Sequence, residues 1–223
     1  MHLRSATQRG VYSMSRKPVS RRSILVSAIA LTTLSSARAT GDKNIRGTQV
    51  AAITTSLGDI IVTLDLNRAP ASAGNFLEYM DRHLFDDAQF YRSVHAENDA
   101  NPVKISVLQG GIIDGAKSLA PIRHESTRQT GLRHLDGTIS IARREPGTGS
   151  AGAFFICIGS QPQLDFGGRR NPDGQGFAAF GRVHRGMDVV RTIWTRPTVG
   201  TDGSIGAQMI ASPVKIMTVI RNR

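Results

Sequence analysis

Three separated segments of the sequence carry side chains that could bind and polarise a substrate. Arg92 lies in the motif FYR, and its guanidinium is permanently charged and presents a fork of N–H donors. Gln109 lies in the motif LQGG and offers an amide that can bind a peptide backbone. Phe155 lies in a nearly continuous apolar run over residues 153–158. Together these residues offer charged and neutral N–H donors and a candidate apolar floor.

The stretch from Gly137 to Asp165 is typical of a strand, a polar loop, a second strand and a second loop. Residues 138–142 are short and β-branched, residues 153–158 are apolar, and Gly, Pro and Ser bound both runs. The segment 143–152 between them contains too much Gly and charge to pack inside a core. Enzymes commonly place such a loop beside a rigid apolar floor to hold an extended substrate.

Five short motifs along the chain occur in the order and at roughly the spacing found in one enzyme family. They are F-x-R ending at Arg92, Q-G-G starting at Gln109, G-x-x-x-x-A-R followed by F-F-I, L-D starting at Leu164, and F-G-x-V starting at Phe180. With these motifs the chain resembles the cyclophilins, the peptidyl-prolyl cis/trans isomerases, of bacterial exported type. The resemblance covers about residues 51–220, and we assign the domain to residues 50–221.

The resemblance implies an isomerase that acts on Pro-containing polypeptides and needs no cofactor and no metal. Rotation about an X-Pro bond faces a barrier of about 18 to 20 kcal/mol because amide resonance must be broken. The imide nitrogen becomes pyramidal and basic as it twists, so a fixed N–H donor would stabilise the twisted state preferentially. In this pattern Arg92 is the donor, Gln109 orients it and binds substrate backbone, and Phe155 completes the catalytic set in the proline pocket.

The resemblance also implies a set of residues that bind the substrate around the catalytic ones: Val107, Ala142, Arg143, Ala153, Leu164 and Phe177. Phe154, the neighbour of Phe155, would then point into the core. Each residue alone has a simpler interpretation: an Arg on a solvated strand face, a Gln that satisfies a turn, or a Phe in an ordinary core.

The sequence departs from the family pattern at several positions around the expected pocket. Ser106 and Val107 replace a Phe-Met pair, Ala153 replaces a Gln, Gln163 replaces an aromatic residue, and Phe177 stands at a His or Tyr position. We therefore expect weaker packing on the proline ring unless Phe177 or the loop 96–102 refills the gap, and no tight binding of cyclosporin. The alternative function is a binding module or holdase that keeps the groove but has lost turnover.

The elements that must position these residues are short strands with Gly-rich turns and two helices. Strands are predicted over residues 50–57, 59–66, 89–94, 103–109, 138–142, 153–158, 177–184 and 214–221. Helices are predicted over residues 71–82, with Pro70 in the first turn, and over residues 187–194. This pattern favours a mainly β fold with a closed antiparallel barrel. The resemblance implies eight strands, with the two helices capping the open ends.

The first 39 residues have the pattern of an export signal. They hold seven of the 28 Lys and Arg and none of the 17 acidic residues, and an apolar stretch over residues 23–37 leads to Ala37-Arg38-Ala39. This stretch is too short and too polar for a stable membrane insertion. The pair Arg21-Arg22 resembles a twin-arginine signal, and both twin-arginine and general export remain open. The sequence predicts cleavage near Ala39 and a periplasmic or secreted protein with a flexible start at residues 40–49.

The charge of the chain is concentrated in this leader. Without residues 1–39 the 28 basic residues fall to 21, which against 17 acidic residues leaves a net charge of +4 instead of +11. We therefore expect no nucleic-acid partner, and we expect a monomer.

The remaining reactive residue types have structural interpretations. Cys157 lies in the apolar run and predicts a buried apolar residue rather than a catalytic thiol, and a single cysteine excludes an intramolecular disulfide. The segment His124-Glu125-Ser126 contains hydrolase residue types, but adjacent residues in one loop cannot form a triad. The histidines show no metal-ligand spacing, so we expect solvated side chains at His83, His95, His124, His134 and His184.

Overall fold

The computed structural model describes residues 47–113, 115–200 and 205–222. The predicted leader, residues 1–39, and the first part of the predicted flexible start lie outside these ranges. Eight strands are present: β1 (Thr48–Thr55), β2 (Gly58–Asp65), β3 (Gln89–Val94), β4 (Val107–Gly111), β5 (Thr138–Ile141), β6 (Ala153–Cys157), β7 (Ala178–Arg185) and β8 (Met209–Arg221). The α-helices are α1 (Pro70–Asp81), α2 (Thr127–Thr130) and α3 (Met187–Trp194).

The eight strands form a closed barrel in the order β1-β2-β7-β5-β6-β4-β3-β8, and β8 pairs with β1 to complete it. Every pairing between neighbours is antiparallel. Closure leaves no strand edge in the barrel without a partner, which removes the surface through which sheets aggregate. The predicted mainly β, eight-stranded antiparallel barrel is therefore confirmed.

Three strands begin two or more residues away from the predicted start, each for a local reason, and the other strand starts agree within one residue. β1 begins at Thr48 because this residue already pairs with Asp65 of β2. β4 begins at Val107 instead of residue 103 because side-chain oxygens of Asn101 and Asp99 bind the backbone N–H groups of the residues before it. β8 begins at Met209 instead of residue 214, and a register shift in its pairing with β3 accommodates the proline within it.

The predicted helices are confirmed as α1 and α3, but the expectation of only two helices was wrong. The third helix, α2, lies in a stretch for which the sequence predicted neither a strand nor a helix. Ser126 and Gln129 form a capping box at its start, and Gly131 ends it with a φ of 69°. No helix in residues 47–113, 115–200 and 205–222 combines the length and the apolar character needed to span a membrane.

Glu125 binds the start of α1 and so has a structural role instead of a role in hydrolysis. Its buried carboxylate accepts hydrogen bonds from the backbone N–H groups of Ala71 and Ser72, at 3.1 and 2.8 Å, and from the Ser72 hydroxyl at 2.8 Å. These are among the N–H groups of the first turn of α1 that have no acceptor within the helix. Glu125 therefore fixes α1 from outside.

Two adjacent phenylalanines of β6 face opposite sides of the barrel wall. Phe154 belongs to the interior core, where its ring lies 5.7 Å from that of Phe76 and 5.9 Å from that of Phe90. Phe155 belongs to a smaller cluster with Val94, Ile105, Val107, Cys157 and Leu164. The alternation of side chains along a strand predicts this division.

Cys157 is a buried member of the smaller cluster, as predicted. Burial raises the pKa of its thiol well above the usual value, and the negative charges of Asp165 and Asp136 raise it further. The thiol therefore stays protonated and behaves as a small apolar side chain.

Candidate active site

Arg92, Gln109 and Phe155 are neighbours across three adjacent strands. In the barrel, Arg92 of β3 pairs with Gln109 of β4, and Gln109 pairs with Phe155 of β6. We call these three residues the cross-strand row. The strand registers bring together residues that lie far apart in the sequence.

A β-bulge turns Arg92 toward the groove. The register between β3 and β4 shifts between Phe90 and Arg92, so Tyr91 is an extra residue in β3 relative to β4. Phe90 is fully buried in the interior core, and a regular strand would place the side chain two residues later on the same side. Because of the bulge, Tyr91 and Arg92 both line the groove outside the barrel wall.

The Arg92 guanidinium is held by two glutamine side chains. Its Nη1 donates to Gln109 Oε1 at 2.7 Å, while Nε and Nη2 donate to Gln208 Oε1 at 2.9 and 2.5 Å. Burial lowers the pKa of Arg92, and the positive charge of Arg170 lowers it further. An arginine remains charged at neutral pH even so, and this cation is therefore fixed and only partly hydrated.

Gln109 is held in turn by Tyr91, since Gln109 Nε2 donates to the Tyr91 hydroxyl at 2.9 Å. Burial raises the pKa of Tyr91, which keeps the hydroxyl protonated. Neither Tyr91 nor Gln208 was predicted from the sequence as a site residue. No local sequence pattern predicts the bulge that turns Tyr91 toward the groove. Gln208 lies 116 residues from Arg92 in the sequence, so no local pattern connects the two.

The groove beside the cross-strand row has a volume of about 890 Å³. Except for Leu164, every residue predicted for the site lines it: Arg92, Val107, Gln109, Ala142, Arg143, Ala153, Phe155 and Phe177. Leu164 is fully buried in the cluster that contains Phe155.

Gly111, two residues after Gln109 in β4, is required by the fold rather than by substrate binding. Gly111 has a φ of 137°, and a Cβ there would lie 2.0 Å from the carbonyl oxygen of Gly152. Only a glycine fits such a close approach between β4 and the start of β6. Part of the LQGG motif therefore serves the fold.

Phe155, in the floor of the groove, contacts two other rings. Phe177 meets Phe155 edge to face, with ring centroids 5.3 Å apart, and the His134 ring lies parallel to Phe155 at 6.0 Å. His134 is fully buried, with Nδ1 2.8 Å from Asp165 Oδ1 and Nε2 3.0 Å from Ser140 Oγ. The expectation of a solvated His134 was therefore wrong, because polar partners satisfy both ring nitrogens inside the protein.

The histidines differ from one another in exposure. His83 and His184 are exposed as expected. His95 and His124 are half-buried, and burial lowers the pKa of each of these two.

The pKa of Asp165, which is hydrogen-bonded to His134, is subject to opposing effects. Burial acts to raise this pKa, but hydrogen bonds from His134 outweigh burial and hold the pKa below its usual value. Among the described residues, no group of three or more His, Cys, Asp or Glu side chains is arranged to hold a metal ion.

Arg143 lines the groove but directs its donors to the protein. Its Nε donates to the Gly176 carbonyl at 2.8 Å, and its terminal nitrogens bind the Asp173 carboxylate at 2.8 and 3.0 Å. The guanidinium carbon lies 5.2 Å from the centroid of the Phe177 ring. The side chain is only 2% exposed, so it supports Phe177 from behind.

The segment 96–106 contains Ser106 and contacts Gln163, two of the positions that depart from the family pattern. Its buried Asp99 carboxylate accepts two hydrogen bonds from Arg170, at 2.6 and 3.1 Å, and Ile105 packs in the cluster with Phe155. Gln163 donates to the Lys104 carbonyl at 2.6 Å and so ties this segment to the turn that carries Leu164. Phe177 lines the groove, whereas Ile105 is buried in the cluster with Phe155.

The family model described as cyclophilin type peptidyl-prolyl cis-trans isomerase/CLD matches residues 50–220 of the chain. This chain belongs to the cyclophilin family. The cyclophilin is 33% identical over 144 residues to peptidyl-prolyl cis-trans isomerase A of Dickeya dadantii, covering 63% of this chain and 68% of that relative. It is 31% identical over 170 residues to the peptidyl-prolyl cis-trans isomerase of Acinetobacter baylyi, covering 74% of this chain and 81% of that relative.

Solved structures share the fold of this cyclophilin. A cyclophilin type peptidyl-prolyl cis-trans isomerase of Cryptosporidium parvum superposes with a TM-score of 0.62 at 19% identity, covering 79% of this chain and 98% of that chain. The same protein crystallised in the presence of the dipeptide Ala-Pro gives a TM-score of 0.61 at 19% identity, covering 78% of this chain and 99% of that chain. At this identity the likeness concerns the fold.

Proposed function

We propose that this cyclophilin accelerates the cis/trans isomerisation of X-Pro bonds in exported polypeptides, and that Arg92 stabilises the twisted imide. The observation that carries the proposal is a half-buried cation held by two neutral amides at the edge of an apolar floor made by Phe155. Isomerisation breaks no covalent bond, so a donor and a place for the proline ring are the main requirements.

The proline ring binds over Phe155, between Phe177 and the side chains of Val107 on β4 and Ala153 on β6. The ring displaces water from this floor, which is apolar because Phe155 packs in one buried cluster with Leu164. As the imide twists, its nitrogen gains basicity, and an Arg92 N–H donates to it. The second terminal N–H of the fork reaches the prolyl carbonyl.

Preferential stabilisation is what makes this arrangement catalytic. In the planar ground state the imide nitrogen has no lone pair to accept a hydrogen bond, because that pair is delocalised into the carbonyl. The contact with Arg92 therefore strengthens on the way to the twisted state, and only such contacts raise kcat. Gln109 contributes by holding Arg92 through its amide oxygen.

A second candidate function is a Pro-peptide-binding module without turnover. The observation in its favour is Gln163, whose side chain is turned toward Lys104 and offers no aromatic surface for the proline. The two functions differ in one measurement: isomerisation of an X-Pro test peptide followed by an isomer-specific protease, with and without the purified protein. We expect acceleration in proportion to protein concentration. Binding of the peptide without any acceleration would favour the module.

The exported destination rests on the basic, apolar and Ala-x-Ala pattern of residues 1–39. We expect the exported form to begin near Thr40, which N-terminal sequencing would test, and a mature protein starting at Met1 would contradict it. Changing Arg21 and Arg22 together to Lys should block export if the twin-arginine route is used and leave it largely intact if the general route is used. Outside the cytoplasm the enzyme would act on a folding step that takes about 10 to 100 s uncatalysed.

A further inference from the structure

Gln208 is a buried residue that contacts Arg92 from the side opposite Gln109. It ends the short 3₁₀ turn Gly206–Gln208 that leads into β8, and it is 2% exposed. Its Oε1 accepts from both Nε and Nη2 of Arg92, at 2.9 and 2.5 Å. One oxygen therefore spans a whole edge of the guanidinium.

The orientation of the Gln208 amide is determined by its two neighbours. Its Nε2 donates to the Asn98 carbonyl at 2.8 Å. A backbone carbonyl can only accept and a guanidinium can only donate, so a flipped amide would satisfy neither partner. Asn98 is itself buried and fixed, since its side chain donates to the Ser93 carbonyl at 3.1 Å and accepts from the His95 N–H at 2.8 Å.

The two glutamines together decide which donors of Arg92 face the groove. A guanidinium has five N–H bonds, and Nε, Nη1 and Nη2 each direct one to a glutamine oxygen. One N–H on each terminal nitrogen is left for a substrate. Because Gln208 holds the Nε edge, rotation about the last bonds of the side chain is arrested with these two donors presented together.

The glutamines are also electrically neutral. A carboxylate in the same place would orient Arg92 equally well, but it would neutralise the charge on which the interaction with the imide depends. Gln208 supplies orientation without neutralisation.

We propose that Gln208 is a positioning residue of this isomerase, which holds the Arg92 guanidinium in its reactive orientation before the substrate binds. The proposal rests on the function proposed for Arg92. Gln208 does not touch the substrate; it removes from the reaction step the cost of ordering a long and mobile side chain.

The first test uses the unchanged protein. The Arg92 Nε–H signal can be identified in NMR spectra by its loss in Arg92→Lys. It should exchange with water at least about 10-fold more slowly than the Nε–H of an exposed arginine such as Arg82, because it is hydrogen-bonded to the buried Gln208. Exchange as fast as that of Arg82 would overturn the proposal whatever the variants do.

The second test replaces Gln208 by Met, which keeps the length of the side chain and removes the acceptor. We expect kcat/KM to fall about 10- to 100-fold, the effect of misplacing a catalytic group, with peptide affinity within about twofold of wild type and fast exchange of the Arg92 Nε–H. Gln208→Glu restores the acceptor, so exchange should slow again while kcat/KM stays low because the charge is neutralised. Gln49→Met is the matched control, because Gln49 Oε1 also accepts from an arginine, Arg221, at 3.1 Å but outside the groove.

The outcomes separate this proposal from the function on which it rests. An unchanged kcat/KM in Gln208→Met, in a protein that turns over X-Pro peptides, would overturn the role of Gln208 alone. Absence of turnover in the unchanged protein would contradict the isomerase function, and a slowly exchanging Arg92 Nε–H would still support the contact with Gln208. Gln49→Met should retain wild-type kcat/KM, and an equal loss in this control would overturn the assignment of the effect to Arg92.

Discussion

Replacing Arg92 by Ala is expected to lower kcat/KM for an X-Pro peptide by roughly 2 to 4 kcal/mol, the magnitude typical of removing one preorganised donor. The ground-state affinity for the peptide should change much less, because the planar imide nitrogen makes little use of the donor. The loss leaves the oxygens of Gln109 and Gln208 without their charged partner, and both are anchored by their own Nε2 groups. They cannot move to replace it.

Arg92→Lys is the informative companion variant and should be nearly as poor. An ammonium keeps the positive charge but presents no fork, so it cannot bind two glutamine oxygens and still reach the imide nitrogen and carbonyl together. Exchange NMR of a Pro peptide measures turnover, and calorimetry measures affinity. Turnover that survives Arg92→Ala undiminished would eliminate the mechanism, while an effect confined to affinity would support the binding module.

The second large effect is expected from a pair of neighbouring residues in β6. Phe155→Ala should weaken the binding of Pro peptides by about 1 to 3 kcal/mol, because it removes the apolar floor of the groove. Phe154→Ala should instead lower the free energy of unfolding by about 3 to 5 kcal/mol, because it opens a cavity among Phe76, Phe85 and Phe90.

These two variants control for each other, since they remove the same side chain from adjacent positions. Chemical denaturation gives the free energy of unfolding, and peptide titration gives the affinity. Phe155→Ala should be the more stable of the two and the weaker binder. Equal unfolding with unchanged peptide affinity would show that the wrong face of β6 has been assigned to the groove.

The sequence predicted those parts of the fold that depend on local pattern. Alternation in β6 separated Phe154 from Phe155, and the apolar face and Pro70 located α1. Motif order then brought Arg92, Gln109 and Phe155 to one site, and the strand registers place them side by side.

What the sequence did not predict depends on partners distant in the chain. The bulge at Tyr91 belongs to the pairing of β3 with β4, and no local propensity encodes that register. Gln208 acquires its role only when β8 closes the barrel beside β3. The burial of His134 likewise requires Asp165 and Ser140, which different segments supply.

The cross-strand row has a consequence for how this protein can change. Its spacing is set by the backbone ladder, at about 4.7 to 4.9 Å from strand to strand. Arg144, Glu145 and Thr148 of the loop 143–152 line the groove, whereas Asn98 of the segment 96–106 binds Gln208 and so supports Arg92. The loop 143–152 can therefore be exchanged to alter which residues are accepted beside the proline while the rotation step keeps its speed. The range of accepted clients and the reaction rate therefore depend on different residues, and each can change through substitutions that leave the other unaltered.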